Sequence, residues 1–164
     1  MANTDSFFSL EIDIQLQTLT LVDQEKPLVC YSVSTALNGV GENANSGCTP
    51  RGQHVVRAKI GHGQPRNSVF IARRATGEIY SAALAAQYPQ RDWILSRILW
   101  LSGTQPGFNR LGSVDTMQRY IYIHGTPDTE PMGTPLSHGC IRMRNEDIED
   151  LFDRVSIGTR VTIS

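Results

Sequence analysis

Phe8, Leu10, Ile12, Ile14 and Leu16 alternate with Ser9, Glu11, Asp13, Gln15 and Gln17. A period of two is that of a strand with one buried face, and Thr18 to Val22 predicts its hairpin partner. Leu28 to Thr35, Gln53 to Ile60 and Val69 to Arg73 read as further extended segments. Ala75-Thr76-Gly77 is expected to turn the chain into Glu78-Ile79-Tyr80. Residues 38–52, rich in Gly, Asn and Pro, predict a long surface loop, either functional or mobile. The spacing of Ile94, Leu95, Ile98, Leu99 and Leu101 predicts a helix over 94–101, stopped by Ser102-Gly103. Arg119 to His124 reads as a strand with Tyr120, Tyr122 and His124 on one face and Ile121 and Ile123 on the other. A last helix is expected with Asn145 as N-cap, acids in its first turn, and Ile148, Leu151, Phe152 and Val155 as its buried stripe. Thr159 to Ile163 then closes the chain as an alternating strand.

With 164 residues, the chain is expected to form a single domain over 1–164. At that size roughly 70% of the unfolded surface is buried, enough to hold a fold without disulfides or structural metal. Fourteen glycines and eight prolines supply the turns of a β-rich domain. The net charge of −1 and the dispersed arginines argue against nucleic acid as a partner. No stretch approaches the ~20 apolar residues of a membrane span, and the first eight residues lack a basic start and an apolar core. The expectation is therefore a cytoplasmic protein without membrane contact, or a periplasmic one if an export signal precedes Met1. Oligomeric state is not legible. Three cysteines, Cys30, Cys48 and Cys140, form no C-x-x-C pair, which fits a reducing compartment.

The chemistry concentrates in two segments. Ile123-His124-Gly125-Thr126-Pro127 places a histidine at the end of an apolar run, and Ser137-His138-Gly139-Cys140-Ile141-Arg142 places a cysteine after a glycine. A thiol and an imidazole on separate segments are the minimum equipment for thiol acyl transfer. A free thiol has a pKa near ~8.5, and lowering it by ~2 units needs roughly 2.7 kcal/mol of preference for the anion. An imidazolium at His124 is expected to supply that to Cys140. No acid follows His124, so a backbone carbonyl is the expected orienting group. Gly139 permits close backbone approach, so the amides of Gly139 and Cys140 are candidate oxyanion donors. Cys30 and Cys48 read as buried, inert thiols, and His54 and His62 as surface side chains. A zinc site of His124, His138 and Cys140 has suitable ligand types but lacks a second close ligand pair, so no metal and no cofactor is expected.

These residues resemble the L,D-transpeptidase catalytic domain, or YkuD-like, family. Its signature is a histidine, a spacer, then Ser/Thr-His-Gly-Cys, an apolar residue and Asn or Arg. This chain has the arginine form, ending in Arg142. Ser46 to Gly52, Leu95 to Leu101 and Tyr120 to Pro127 are also similar to family segments. The resemblance implies a mainly β fold, a sandwich or flattened barrel with two or three short helices. It implies Cys140 as nucleophile, His124 as general acid/base, the Gly125 carbonyl as orienting group, and His138, Gly139 and Cys140 around the oxyanion. Arg142, Ser137 and Tyr122 are the candidate substrate-binding residues. For Arg142 two readings stand: a clamp for a substrate carboxylate, or an ion pair with the acidic start of the last helix; Arg51, Arg110 and Arg119 are weaker candidates for the clamp.

The implied substrate is a peptidoglycan stem peptide. It is cut at its third residue with release of D-Ala, leaving an acyl-enzyme thioester for water or an amine. A cytoplasmic copy would meet soluble muropeptides, which favours an L,D-carboxypeptidase acting on murein tetrapeptides. The alternatives are an L,D-transpeptidase forming 3→3 cross-links or exchanging D-amino acids, and a non-catalytic muropeptide-binding domain.

Overall fold

The structure, a computed structural model, describes residues 7–164. Residues 1–6, part of the segment from which localisation was read, lie outside them. Ten strands form one sheet: β1 (Phe8–Asp13), β2 (Thr18–Asp23), β3 (Lys26–Ser34), β4 (Gly52–Ile60), β5 (Ser68–Ile71), β6 (Arg74–Ile79), β7 (Ile94–Gly103), β8 (Tyr122–Gly125), β9 (Ile141–Met143) and β10 (Arg160–Ile163). Two α-helices accompany them, α1 (Ala82–Gln87) and α2 (Asn145–Arg154), with a 3-10 turn at Gly112–Val114.

Strand order β4-β10-β1-β2-β3-β9-β8-β7, with β7 pairing back onto β4, closes an eight-stranded barrel. The β5–β6 hairpin continues outward from β7. Closure pairs each of the eight strands on both sides, although β3 meets the short β9 only at Val33 and Ser34. Among the strands of the described residues, only β1–β10 and β8–β9 pair in parallel. The alternation at the amino terminus holds as far as Asp13: Leu10 and Ile12 point into the core, as do Leu19 and Leu21 on the antiparallel partner. Beyond it the expected strand gives way to a turn over residues 14–17, where Leu16 is exposed and Gln17, at φ +54°, is buried with its amide bonded to Thr35. α2 lays Ile148, Leu151 and Phe152 into the same cluster.

Three further expectations are corrected. Residues 94–101 belong to the ten-residue strand β7, not to a helix. Leu99 and Leu101 face the barrel interior, whereas Ile98 and Trp100 pack on the outer face. A strand apolar on both faces carries no clean period of two, and a register break between Leu95 and Ile98 spaces the apolar residues like a helix. The hairpin after β5 turns at Ala72-Arg73, where both residues have positive φ; Ala75 to Gly77 lie within β6. Such a two-residue turn matches the twist of the flanking strands. Asn145 is the first residue of α2, and Arg144 occupies the cap position without a side-chain bond. The helix α1, capped by Ser81 accepting from Leu84 N–H, was not anticipated.

Candidate active site

β8 and β9 lie side by side in parallel, with Ile123 opposite Ile141 and His124 opposite Arg142. Ile123, Ile141 and Met143 take the inner face. Tyr122, His124 and Arg142 therefore share the outer face, and Cys140 joins them one residue before β9. Tyr122 and Cys140 pack there with Phe70, Ile98 and Trp100. His124 sits diagonally across from Cys140, two residues along the parallel pair. Tyr120 departs from the expected strand: its φ is +58°, its side chain is exposed, and β8 starts only at Tyr122.

His124 is buried, and its Nδ1 lies 2.6 Å from the Gly125 carbonyl. A carbonyl only accepts, so the bond requires the proton on Nδ1 and leaves Nε2 as the basic nitrogen. Burial lowers the imidazole below its ordinary value, against the raising effect of the Gly125 bond. Burial also pushes the Cys140 thiol up to about 12. The sulfur accepts from Tyr122 N–H and donates to the Tyr120 carbonyl, each at 3.3 Å, and is not hydrogen-bonded to His124. The expected thiolate–imidazolium pair is thus replaced, in this resting arrangement, by a neutral thiol and a neutral imidazole. The physical reason is desolvation, which penalises both charges.

The turn before Cys140 is built by Ser137. Its hydroxyl donates to the Cys140 carbonyl at 2.6 Å and accepts from Gly139 N–H at 3.2 Å. Ser137 is buried, so the expectation that it contacts substrate gives way to a bracing role. The Gly139 amide, expected to face an oxyanion, is turned toward Ser137, whereas Cys140 N–H has no hydrogen-bond partner among the described residues. Gly139 has φ +134°, and a Cβ there would meet the Cys48 carbonyl at 3.2 Å.

Arg142 is nearly buried and donates to Asp92 at 3.1 Å, with Glu130 at 4.0 Å. An ion pair exists, but with these loop acids and not with the helix start. The other Asp92 oxygen lies 3.3 Å from Nδ1 of the exposed His138. These residues, with Pro89 to Trp93, Thr126 and Pro127, line a cavity of about 270 Å³. A larger open depression of about 1290 Å³ lies against β1 and β10 and shares no residue with this site. Tyr122 is also less free than expected: it is buried, and its hydroxyl accepts from Arg73 at 2.9 Å.

The sequence profile of the YkuD family, described as the L,D-transpeptidase catalytic domain, matches residues 8–163. The chain belongs to that family. Among individual L,D-transpeptidases, it is 54% identical over 43 residues to "Probable L,D-transpeptidase YbiS" of Escherichia coli (strain K12), covering 26% of this chain and 14% of YbiS. It is 53% identical over 45 residues to "Probable L,D-transpeptidase ErfK/SrfK" of Salmonella typhimurium, covering 27% of this chain and 15% of that protein. A solved L,D-transpeptidase from Mycobacterium smegmatis superposes with a TM-score of 0.61 at 19% identity, covering 97% of this chain and 59% of that one. L,D-transpeptidase 3 from Mycobacterium tuberculosis, solved with a faropenem-derived adduct, gives 0.59 at 17% identity, covering 97% and 60%. At such identity the structural likeness is one of fold. The chain spans about three-fifths of the solved enzymes and a far smaller share of the first two relatives.

Within this L,D-transpeptidase domain the site recruits two residues that the sequence did not single out, Arg73 and Asp92, and gives Arg119 a role other than the expected one. Arg73, from the β5–β6 turn, stacks 4.7 Å from the ring centres of both Trp100 and Tyr120. Asp92 enters from the segment after α1. Arg119 donates to the carbonyls of Gly41, Glu42 and Cys48 and to Ser46, fastening the 38–52 loop beside the Cys140 turn. Distance in sequence hid Arg73 and Asp92; Arg119, a weaker candidate for the carboxylate role of Arg142, instead spends its guanidinium on the loop. Two thiols and one histidine also differ from expectation. Cys30 is exposed and Cys48 half-buried. His54 is buried within β4, where Nδ1 bonds the Gly52 carbonyl and Nε2 the Thr116 hydroxyl.

Proposed function

We propose that this domain catalyses acyl transfer on peptidoglycan stem peptides, with Cys140 as nucleophile and His124 as general base and acid. The observation that carries the reading is the parallel β8–β9 pair. It sets both side chains on one outer face and leaves the Gly125 carbonyl to hold His124 in the tautomer whose Nε2 is basic. Rotation of the Cys140 side chain away from Tyr120 brings the sulfur toward that nitrogen. The thiol proton passes to Nε2 as sulfur attacks the carbonyl of the third stem residue. Cys140 N–H is the donor for the oxyanion, joined by Gly139 N–H when it leaves Ser137. Collapse expels D-Ala, protonated by the imidazolium, and leaves a thioester. Arg142 serves a substrate carboxylate, which displaces Asp92 to gain two parallel bonds. The relatives named as L,D-transpeptidases support the same chemistry.

Water completes the cycle when no amine competes, so a free murein tetrapeptide becomes a tripeptide and the enzyme acts as an L,D-carboxypeptidase. An added D-amino acid or a second stem diverts the same thioester to exchange or to a 3→3 cross-link. Incubating a tetrapeptide with and without a D-amino acid, followed by mass spectrometry, tests both arms. Loss of D-Ala with the wild type and none with Cys140→Ala is the expected result. Equal product from both would overturn the nucleophile assignment, and a substrate bound but never cut would make the domain a muropeptide binder. A penem, the class represented by the faropenem-derived adduct of the Mycobacterium tuberculosis enzyme, should add its mass to the wild type alone.

A further inference from the structure

Asn145 opens α2 yet does not cap it, and its amide turns inward, 1% exposed. Every polar atom of that amide is used. Oδ1 accepts the Ser96 hydroxyl at 2.6 Å. Nδ2 donates to the Thr126 carbonyl at 2.9 Å, with Asn67 Oδ1 at 3.0 Å and Asp128 Oδ1 at 3.3 Å beside it. Ser96 is equally unusual. It lies fully buried in β7 with φ +72°, where the register with β8 breaks. A left-handed non-glycine residue inside a core strand is strained and persists only where its surroundings impose it. Glycine would take that conformation freely, and what it would lack is the hydroxyl. That hydroxyl also accepts Asn67 N–H at 3.0 Å.

The strand opposite this pair carries the base. Gly125 pairs with Leu95, and a Cβ on Gly125 would collide with Asn145 Oδ1 and the Leu95 carbonyl. The Gly125 Cα therefore lies pressed between the Leu95 carbonyl of β7 and the Asn145 amide, and the Gly125–Thr126 peptide unit leads directly from it. Its two ends are both engaged: Thr126 N–H donates to the Met143 carbonyl at 3.1 Å, and the Gly125 carbonyl accepts from His124 Nδ1. The next carbonyl, Thr126, is the one that Asn145 holds.

We infer that Ser96 and Asn145 form a positioning pair, which fixes the Gly125 carbonyl and through it the tautomer and direction of the His124 ring. Neither residue touches the reacting atoms. The catalytic consequence rests on the acyl-transfer reading above; the effect on the ring does not.

The test uses the whole domain, labelled with ¹⁵N-histidine, as wild type, Asn145→Ala and Ser96→Gly. Ser96→Gly relieves the backbone but also removes the hydroxyl that serves Asn145 Oδ1 and Asn67 N–H, so the ring tautomer, which a purely structural Ser96 would leave unchanged, separates the alternatives. The expected result is a lowered melting temperature with the fold retained for Ser96→Gly, and kcat on a tetrapeptide down about tenfold. Asn145→Ala should lose about a hundredfold, the cost of a displaced catalytic group, with KM unchanged. In both variants the His124 ring nitrogens should move from a single Nδ1–H tautomer toward a mixture. Unaltered ring signals, or kcat within twofold of wild type in both variants, would overturn the inference. A wild type that releases no D-Ala would sink the acyl-transfer reading alone, because the ring signals still decide the positioning role.

Discussion

A neutral thiol beside a neutral imidazole makes different demands on pH from a preformed ion pair. Under the proposed acyl transfer, with Cys140 pushed up to about 12 and His124 lowered, both by burial, the proton would travel during attack and not before it. Activity then needs only an unprotonated His124, so kcat/KM should rise below pH 6.5, the ordinary histidine value, and stay level to pH 9. Alkylation of the free enzyme by iodoacetamide reports the thiolate fraction and should climb about tenfold per pH unit between 7 and 9. A rate already at plateau from pH 6 would instead reveal the ion pair. Cys140, His124 and Gly125 were legible because a few chemically special residues in tight motifs announce their partners. Ser137, Tyr122 and Asn145 were legible only as types. Their side chains are claimed by the Cys140 carbonyl, Arg73 and Ser96 respectively, partners set by the barrel and not by neighbours in sequence.

The elements around the site explain where pattern reading succeeds and fails. β1 and β2 each have one face in the core and the other toward solvent, so their alternation was plain. β7 is apolar on both faces because the barrel lies on one side and the Cys140 cluster on the other, and with a bulge added it imitates a helix. The 38–52 segment reads as loop in either case, but its attachment is tertiary. The Thr49 hydroxyl is fully buried, accepts Ala36 N–H at 3.0 Å and donates to the Gly139 carbonyl at 2.9 Å. Thr49→Val preserves shape while orphaning both backbone groups, at a cost of about 2 kcal/mol. Urea unfolding should show that loss with an unchanged m-value, accompanied by a lower kcat because the Gly139 turn loses its brace. A change below about 0.5 kcal/mol, the range of a neutral surface substitution, would mean that the loop and turn are held by other contacts.

The whole barrel depends on β4, the strand that closes it, and a titratable side chain is buried there. His54 pairs with Val161 of β10 on one side and Gly103 of β7 on the other. Burial lowers its pKa to about 4, although the Gly52 carbonyl raises it. The unfolded chain takes up that proton near 6.5, the folded chain only near 4, so stability is full above the first value. It falls as pH drops between the two, and below the second this group costs nothing more. The interval corresponds to about 3 kcal/mol. His124, also lowered by burial, acts with the same sign. Glu149 and Asp150, lowered chiefly by their bonds to Arg66 and Tyr31, lose their contributions at lower pH. Asp147, raised by burial, opposes them. Urea unfolding at pH 7.5 and 4.5 should therefore show a marked loss at the lower value. His54→Gln, which keeps a donor and an acceptor for Gly52 and Thr116, should remove about 2 kcal/mol of that difference whatever it does to stability at either pH alone. An undiminished difference would place the acid sensitivity in other groups and leave the His54 proton outside the closure of the barrel.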